Sequence, residues 1–465
     1  MGTDNILKKS VILVAVSLVI GMIGRWAGLS FHQALSISIF SVSILGTLFF
    51  WHFRLTFAFL GTSVLLATKT IDMEHIIKFA SLEVILFLVG MMVLVGLLKS
   101  AGFFAWIVTL ILRIRNLNAH KFLYIVSVIS ALLACAVDEV TAIIFIAAAI
   151  FEICDYFEVD PTPFLMIAIF ATNIGSAGTV LGNPIGILIA TKSGLTFEDF
   201  IVKAFPLMIV CLVALIFIVR LWFKKQLAHL DEKIKALGEN EMLIRLISIP
   251  PERDLKISLL VFAATIGAIA FHHRLEVWWQ LQPNTMLLIL PLVSSGLVMA
   301  WKRNRARDFI EKDVEWWTLL FFMLLFAQAG TLKFTGAADV IAQKIIGATM
   351  HSISALTGVI LWVSAIGSSI LDNVVLVAAV IPVVQSFKDM GVNIQPLWWA
   401  LLFGGCFGGN ITLVGSTANI VALGLLEKEE GIHMTFFRWF WIGLIVGVVT
   451  TVIAWVALLI FPMYR

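Results

Sequence analysis

The chain has 465 residues, 61% of them hydrophobic and 13% charged, with a formal net charge of +3. Soluble domains carry roughly 45–50% apolar and ~25% charged residues, so a soluble globule is excluded. The few charges are spread through loops with no basic stripe, and no nucleic-acid partner is expected. The composition is that of an integral, multi-pass membrane protein.

The start, Met1 to Ser10 with Lys8 and Lys9 ahead of an apolar run, mimics a secretory signal. No convincing small-residue cleavage site follows, and the run continues through Arg25 into a second apolar stretch, so residues 1–30 are read as an extra N-terminal helix. Uncharged stretches then cover residues 34–51, 84–98, 164–191, 204–219, 257–271, 285–301, 316–332, 396–426 and 439–463. Most reach the ~17–25 residues of a bilayer-spanning helix, and flanking Lys or Arg that snorkel to the interface extend the shorter ones. The four cysteines, Cys135, Cys154, Cys211 and Cys406, have no metal or disulfide spacing and read as reduced core residues.

The chain contains two copies of one unit. Leu97-Leu98-Lys99-Ser100-Ala101-Gly102 returns 234 residues later as Thr331-Leu332-Lys333-Phe334-Thr335-Gly336. The same offset carries Val137-Asp138-Glu139-Val140 onto Leu371-Asp372-Asn373-Val374, and one residue less carries Thr179-Val180-Leu181-Gly182-Asn183 onto Thr412-Leu413-Val414-Gly415-Ser416. Three anchors in one order indicate duplication. The expected division is repeat 1 over 31–223, a polar linker over 224–256 that includes Pro250-Pro251, and repeat 2 over 257–465. The linker and the loop Lys302 to Arg307 are rich in Lys and Arg, which places both in the cytoplasm by the positive-inside rule. Counting outward gives about eleven spans, with the N-terminus inside and the C-terminus outside. An odd number of spans per copy threads the second copy the opposite way, the inverted-repeat plan of many secondary transporters.

Two places in each copy resist a continuous helix. Residues 122–151 form two apolar arms around Asp138-Glu139, too long for one span with two acids at its centre. A re-entrant hairpin with its tip at Ala136 to Glu139 is the expected form, tolerated because the tip is buried in protein or water. Its mate runs over 352–387 with the tip at Leu371-Asp372-Asn373. Each hairpin precedes a glycine-rich segment, Asn173 to Pro184 and Gly404 to Asn419. Glycine costs about 1 kcal/mol and proline about 3 kcal/mol in a helix interior, so both spans should unwind there. Unwinding exposes N–H groups and carbonyls with their partial charges, and four such elements at the midplane would form one composite site.

A carboxylate near the bilayer centre costs about 2.5–3.5 kcal/mol and is a functional candidate by default. Asp138, Glu139 and Asp372 are the acids deep in apolar sequence, and in a dry site such a group can exchange a proton for a cation. The competing reading is that they cap half-helices or pair with Lys99 and Lys333, which themselves read better as snorkelling helix ends. Asn173, Gly182, Asn183, Asn373, Asn410, Gly415, Ser416, Thr417 and Asn419 are the expected lining of a solute or ion site, with capping of the broken helices as the alternative. Carbonyl and amide oxygens suit a sodium ion; apart from it no metal and no resident cofactor is expected. Trp278-Trp279, Trp316-Trp317, Trp398-Trp399 and Trp439-Phe440-Trp441 read as interfacial belts, and no arginine is expected to be buried near the site.

These residues resemble the ion transporter superfamily of arsenite permeases, sodium/proton antiporters, the melanosomal P protein, silicon-efflux transporters and citrate or dicarboxylate carriers. The likeness runs over about 81–223 and 316–461. Its most specific strings are Thr172-Asn173-Ile174-Gly175-Ser176, Gly182-Asn183-Pro184, and Gly409-Asn410-Ile411-Thr412-Leu413-Val414-Gly415-Ser416-Thr417-Ala418-Asn419. Where P-protein relatives carry Asp-Asn at the first tip this chain has Asp138-Glu139, and where they carry Gly-Asp-Pro-Pro-Asn it has Gly182-Asn183-Pro184-Ile185-Gly186. The resemblance implies substrate contacts at the tips and unwound segments, carried across the membrane by an elevator-like displacement. The leading expectation is a proton- or sodium-coupled antiporter or exporter of a small inorganic solute, a cation or an arsenite-like oxyacid. Sodium-coupled uptake of a carboxylate is the alternative within transport. A channel is the alternative of another class, and no enzyme constellation is present in the sequence. A bacterial inner membrane, a cytoplasmic N-terminus and a homodimer joined through the scaffold are the expected setting.

Overall fold

The computed structural model describes residues 3–112, 118–236, 253–350 and 352–464, and among these every regular element is a helix. The duplication shows first in the helix caps. Asn118 and Ser352 start the helices Ala119–Ala136 and Ile353–Ile370, and Asp138 and Asp372 start the helices that follow, Glu139–Tyr156 and Asn373–Asp389. In each case the side chain accepts a backbone N–H of the first turn, a donor with no carbonyl partner in its own helix. At the tips, where Asp138 and Asp372 are the caps, no water inside a bilayer would replace that bond. The next helices, Thr162–Ser176 and Gln395–Gly408, each carry proline in the first turn, where its missing N–H is harmless.

Contacts between these helices settle how the chain turns. A Cβ on Gly175 would overlap the Ala131 backbone, Cys135 Sγ donates to Gly175 O at 3.0 Å, and Gly178 faces Cys135. In the second copy Gly404 meets Leu361, Gly408 meets Ala365, and Ser368 Oγ donates to Gly405 O at 2.6 Å. The close contacts rise together, 131 with 175 and 135 with 178 in the first copy, 361 with 404 and 365 with 408 in the second, so Ala119–Ala136 runs parallel to Thr162–Ser176, and Ile353–Ile370 parallel to Gln395–Gly408. Only the short connections 157–161 and 390–394 separate each intervening helix from the next. The intervening helix must therefore run back, and both segments are hairpins with tips at Val137-Asp138 and Leu371-Asp372. An independent tie agrees for the first: Asp231 Oδ1 accepts the Ala119 N–H at 2.6 Å while Lys233 Nζ donates to Glu158 at 2.9 Å, so one helix, Lys224–Ala236, holds both outer ends.

The two hairpins enter from opposite faces. Leu82–Ser100 leads into the first and Trp316–Phe334 into the second, and these helices are antiparallel. Lys99 pairs with Asp313 at 3.4 Å beside Gly96, at the end of one and the start of the other, while Phe79 packs on Gly330 at the opposite ends. The repeats are thus inverted. Among the described residues eight helices are long and apolar enough to cross a membrane, or ten if two bent pairs each count as one. Two of the eight, Ala119–Ala136 and Ile353–Ile370, are hairpin arms rather than crossings. The broken spans, Thr162–Ser176 with Pro184–Ser193 and Gln395–Gly408 with Thr417–Glu430, add two further crossings. Large apolar side chains such as Val11, Leu18, Met22, Val213, Phe217 and Leu297 point outward, as lipid-facing helices require.

Three expectations need correction. The glycines at 404, 405 and 408 do not unwind their helix: at 404 and 408 the absence of Cβ permits close approach of the Ile353–Ile370 backbone, at 405 it makes room for the Val377 side chain, and tertiary packing outweighs propensity. Trp398, Trp399 and Trp439 are buried rather than interfacial, whereas Trp278, Trp279, Trp316, Trp317 and Trp441 are exposed. The linker contains the helix Lys224–Ala236, with Leu227 and Leu230 buried, and the helix Arg253–Ala270 begins inside its expected end. Pro250-Pro251 lies outside the described residues.

The topology is open to a direct check. All four native cysteines are buried, so a single added cysteine can be labelled selectively in the native protein. Asp155→Cys, at the outer end of the first hairpin, should react with a membrane-impermeant maleimide from one face of the membrane, and Asn393→Cys, beside the second, from the other. Labelling of both from one face would refute the inversion.

Candidate functional site

The two tips meet. Glu139, in the first turn after the first tip, is 1% exposed, and its Oε1 accepts Asn373 Nδ2 at 3.1 Å from the second tip and Ser416 Oγ at 3.2 Å from the second broken span. Asp372, 4% exposed, uses Oδ1 to accept the Val374 N–H at 3.0 Å and Oδ2 to accept Thr417 Oγ1 at 2.5 Å. Asp138 is half-buried and accepts the N–H groups of Val140 and Thr141 at 3.0 and 2.8 Å. The acids are thus partly caps, as the simpler reading held. Glu139 is the exception: it caps no backbone and is bonded by side chains, Asn373 and Ser416 of the other repeat and Ser176 of its own.

The unwound segments are shorter than the sequence implies, residues 177–183 and 409–416. Asn183 and Ser416 end them, each accepting an N–H of the helix it begins: Gly186 at 2.9 Å and Ala418 at 3.1 Å. Thr179 Oγ1 donates to Cys135 O at 2.5 Å and its mate Thr412 Oγ1 to Ser369 O, so each loop is stitched to the hairpin of its own repeat. Gly182 and Gly415 sit where a Cβ would collide with Ser176 and with Gly409 and Ser368 respectively, which folds each loop back on itself. Asn173 lies in the helix before the break rather than in it, and reaches across the repeats: its Nδ2 donates at 2.9 Å to both Asn410 Oδ1 and Asn419 Oδ1. Asn419 in turn donates to Gly409 O at 2.8 Å and Thr412 O at 2.9 Å. Asn183 Nδ2 donates to Ser176 Oγ at 3.0 Å and to Cys406 Sγ at 3.2 Å. All twelve candidate residues therefore lie in one layer, where four helices start: Glu139–Tyr156, Asn373–Asp389, Pro184–Ser193 and Thr417–Glu430. Their positive ends face the acids.

Two cavities flank this layer. A small one, about 70 Å³, is lined by Asp138, Glu139, Thr141, Thr318, Glu315 and Thr417. A larger one, about 540 Å³, reaches Asp372 past Trp51, His52, Val414, Glu427 and His433. Lys99 and Lys333 take no part: the first pairs with Asp313, the second with Asp339 at 2.5 Å and Asp389 at 2.7 Å, at opposite ends of the spans. Among the described residues no Lys or Arg forms an ion pair with Asp138, Glu139 or Asp372.

Two neighbours were not legible beforehand. Trp439 Nε1 donates to Asn410 O at 3.0 Å and packs over the second unwound segment. Arg54 is buried, contrary to expectation, with its guanidinium 3.9 Å above the Trp51 ring and Nη2 donating to Thr318 Oγ1 at 3.2 Å. In sequence Arg54 opens a helix after an aromatic run and looks like one more interfacial residue; only tertiary packing puts it inside.

Inverted repeats, paired hairpins and broken spans converging on one polar layer define a polytopic membrane transporter. The family model described as citrate transporter matches residues 47–404, and the chain belongs to that family. It is similar to an uncharacterized transporter of Mycobacterium bovis, 32% identical over 383 residues that cover 80% of this chain and 84% of the relative. A 46 kDa membrane protein of Mycobacterium leprae is 30% identical over 384 residues, again 80% and 84% of the two chains. The human P protein is 25% identical over 480 residues, 87% of this chain and 57% of that longer protein. These relatives fall within the superfamily that the tip and loop motifs resemble.

The amide cluster gives a stability prediction. Asn173→Ala removes the donor shared by two fully buried amide oxygens, Asn410 Oδ1 and Asn419 Oδ1. Stranding buried acceptors costs about 1–3 kcal/mol, so the thermal unfolding midpoint of the detergent-purified protein should fall by several degrees. An unchanged midpoint would show that the cluster does not hold the two repeats together.

Proposed function

We propose that the protein is a secondary active transporter in which a proton or sodium ion, held at the Asp138-Glu139 tip, is coupled to movement of a small solute bound between the two hairpins. The observation that carries this reading is Glu139: a carboxylate 1% exposed, bonded by the uncharged side chains of Asn373 and Ser416. Such a group inside a membrane must share its site with a proton or a metal cation, because an isolated buried charge is too costly. The amide oxygen Asn173 Oδ1 has no protein partner, and it offers a ligand of the kind sodium takes.

Movement by an elevator-like displacement fits the packing. The hairpins and broken spans are bonded to one another through Thr179, Thr412 and Asn173, and the last helix is tied to them through Trp439. They face a wall that includes Leu82–Ser100 and Trp316–Phe334. Such a unit can shift as one body and expose the same site to either face. The leading cargo remains a small inorganic solute exchanged against the coupling ion. A second reading, sodium-coupled uptake of a carboxylate, is favoured by the family's description as citrate transporters.

Proteoliposomes under an imposed pH or sodium gradient test the proposal, with radiolabelled arsenite and citrate as probes. The wild type should accumulate one probe uphill, and Glu139→Gln should lower that rate about tenfold or more, the equivalent of one lost charge-assisted contact. Full uphill transport by Glu139→Gln would remove Glu139 from the coupling step, and gradient-independent conductance would mark a channel.

A further inference from the structure

The offset of 234 residues that relates the two tips also relates Lys99 to Lys333 and the residues around them: Gly96 to Gly330, Glu152 to Ser386 and Asp155 to Asp389. Within the wall the two copies match, since Asp313 lies against Gly96 and its mate Phe79 against Gly330. Between wall and hairpins they do not. Lys333 Nζ, at the end of the wall helix Trp316–Phe334, donates to Asp389 Oδ2 at 2.7 Å and Ser386 Oγ at 2.9 Å on the second hairpin, and to Asp339 at 2.5 Å. Its three donors are thereby used. A second ion pair crosses the boundary at the same end, where Lys192 in the last turn of Pro184–Ser193 meets Glu83 of the wall at 3.1 Å. At the other end the ion pairs stay on one side of the boundary: Lys99–Asp313 and Lys302–Asp254 within the wall, Lys233–Glu158 and Arg438–Asp160 among the hairpins and their neighbours. Among the described residues no ion pair joins Lys99 to Glu152 or Asp155, and both acids are exposed. The cavities follow the same division. At the Lys99 end the small cavity connects Asp313 and the exposed Glu315 with Asp138 and Thr417. At the Lys333 end a cavity of about 220 Å³ runs between Lys192, Lys333 and Gln385 and touches none of the twelve candidate residues.

We propose that Lys333 and Lys99 are alternating latches between the wall and the hairpins. In the state described here Lys333 holds the second hairpin through Asp389 and Ser386, and the site is reached from the Lys99 end. In the opposite state Lys333 releases Asp389, and Lys99 holds the first hairpin through Asp155 and Glu152. The proposal rests on the transport reading above and names the contacts that define its two end states. Inverted repeats supply the logic: exchanging the roles of the two copies turns one end state into the other, and the same exchange carries the Lys333 contacts onto Lys99. Isolated exposed ion pairs contribute little, but Lys333 is 24% exposed and ties three partners together. Two states of similar free energy need only such a bias to change their populations.

Disulfide trapping tests this without solute or gradient, and so fails or succeeds separately from the flux experiment. The full-length protein carrying Lys99→Cys with Asp155→Cys is oxidised in its membrane, and the rate at which the two added thiols disappear is measured. A disulfide should form, and adding Lys333→Gln should raise its rate about fivefold to tenfold, the equivalent of removing a small networked ion pair. Asp389→Asn should act in the same direction and replaces Lys333→Gln should that variant fail to fold. Lys302→Gln, which breaks a pair inside the wall, should leave the rate unchanged. No disulfide between positions 99 and 155, a rate indifferent to both Lys333→Gln and Asp389→Asn, or equal acceleration by Lys302→Gln would overturn the latches. Uphill flux in a protein that forms no such disulfide would leave the transport reading standing and remove the latches alone.

Discussion

A helix that ends inside a bilayer leaves backbone donors or acceptors with no water to meet them. This protein brings eight helix ends into one layer, four starts and four finishes, at residues 136–139, 176–184, 370–373 and 408–417. Each end is tolerated because another supplies what it lacks. Asp138, Asp372, Asn183 and Ser416 cap the starts, Thr179 and Thr412 donate to carbonyls at the hairpin ends, and Asn419 gathers two carbonyls of its own loop. The polar layer is therefore the condition under which the helices can be broken at all, and capping and solute binding are not rival explanations of the same side chains. A capping group with a second oxygen, such as Asp138, can satisfy the backbone with one atom and face the cavity with the other.

Close approach of helices is what assembles this layer. The parallel pairs Ala119–Ala136 with Thr162–Ser176 and Ile353–Ile370 with Gln395–Gly408 touch at Gly175, Gly404 and Gly408, where any side chain would hold them apart. In lipid, where helix association cannot draw on expulsion of water, such contacts together with interhelical hydrogen bonds supply the cohesion. The same glycines that read as helix breakers are, at these three positions, the surfaces by which the paired helices hold together. The true breaks fall a few residues later, at Gly182 and Gly409 to Gly415, where the chain folds back on its own backbone.

What could be read from the sequence divides along this line. The repeat offset, the tips, the caps and the inversion were legible, since each depends on local chemistry: an acid in an apolar run, an amide before a helix, an odd number of spans. Asn173, Asn183, Asn410 and Asn419 could be singled out because their motif is local too, and Asn173 bonds Asn410 and Asn419 directly. Arg54, Trp439, Trp398 and Trp399 were not, because nothing in their own neighbourhoods separates an interfacial aromatic or cation from a buried one. Their burial is decided by helices distant in the chain: Thr318 for Arg54 and the 409–416 loop for Trp439.

Duplication gave this chain two equivalent tips, and the differences between them carry the functional argument. Glu139 answers to Asn373, so the acid of one copy is hydrogen-bonded by the amide at the same place in the other. Two acids there would repel across a buried gap and two amides would leave no charge to bind a cation; one of each gives a single carboxylate solvated from the opposite repeat. That arrangement also ties occupancy to assembly: the ligand field around Glu139 exists only when both hairpins and the second broken span are seated together, since Asn373 and Ser416 reach it from different elements. In the proposed transport cycle, a cation entering this site would draw the two halves together and its departure would loosen them, so the reading ties the ion to the seating of both repeats.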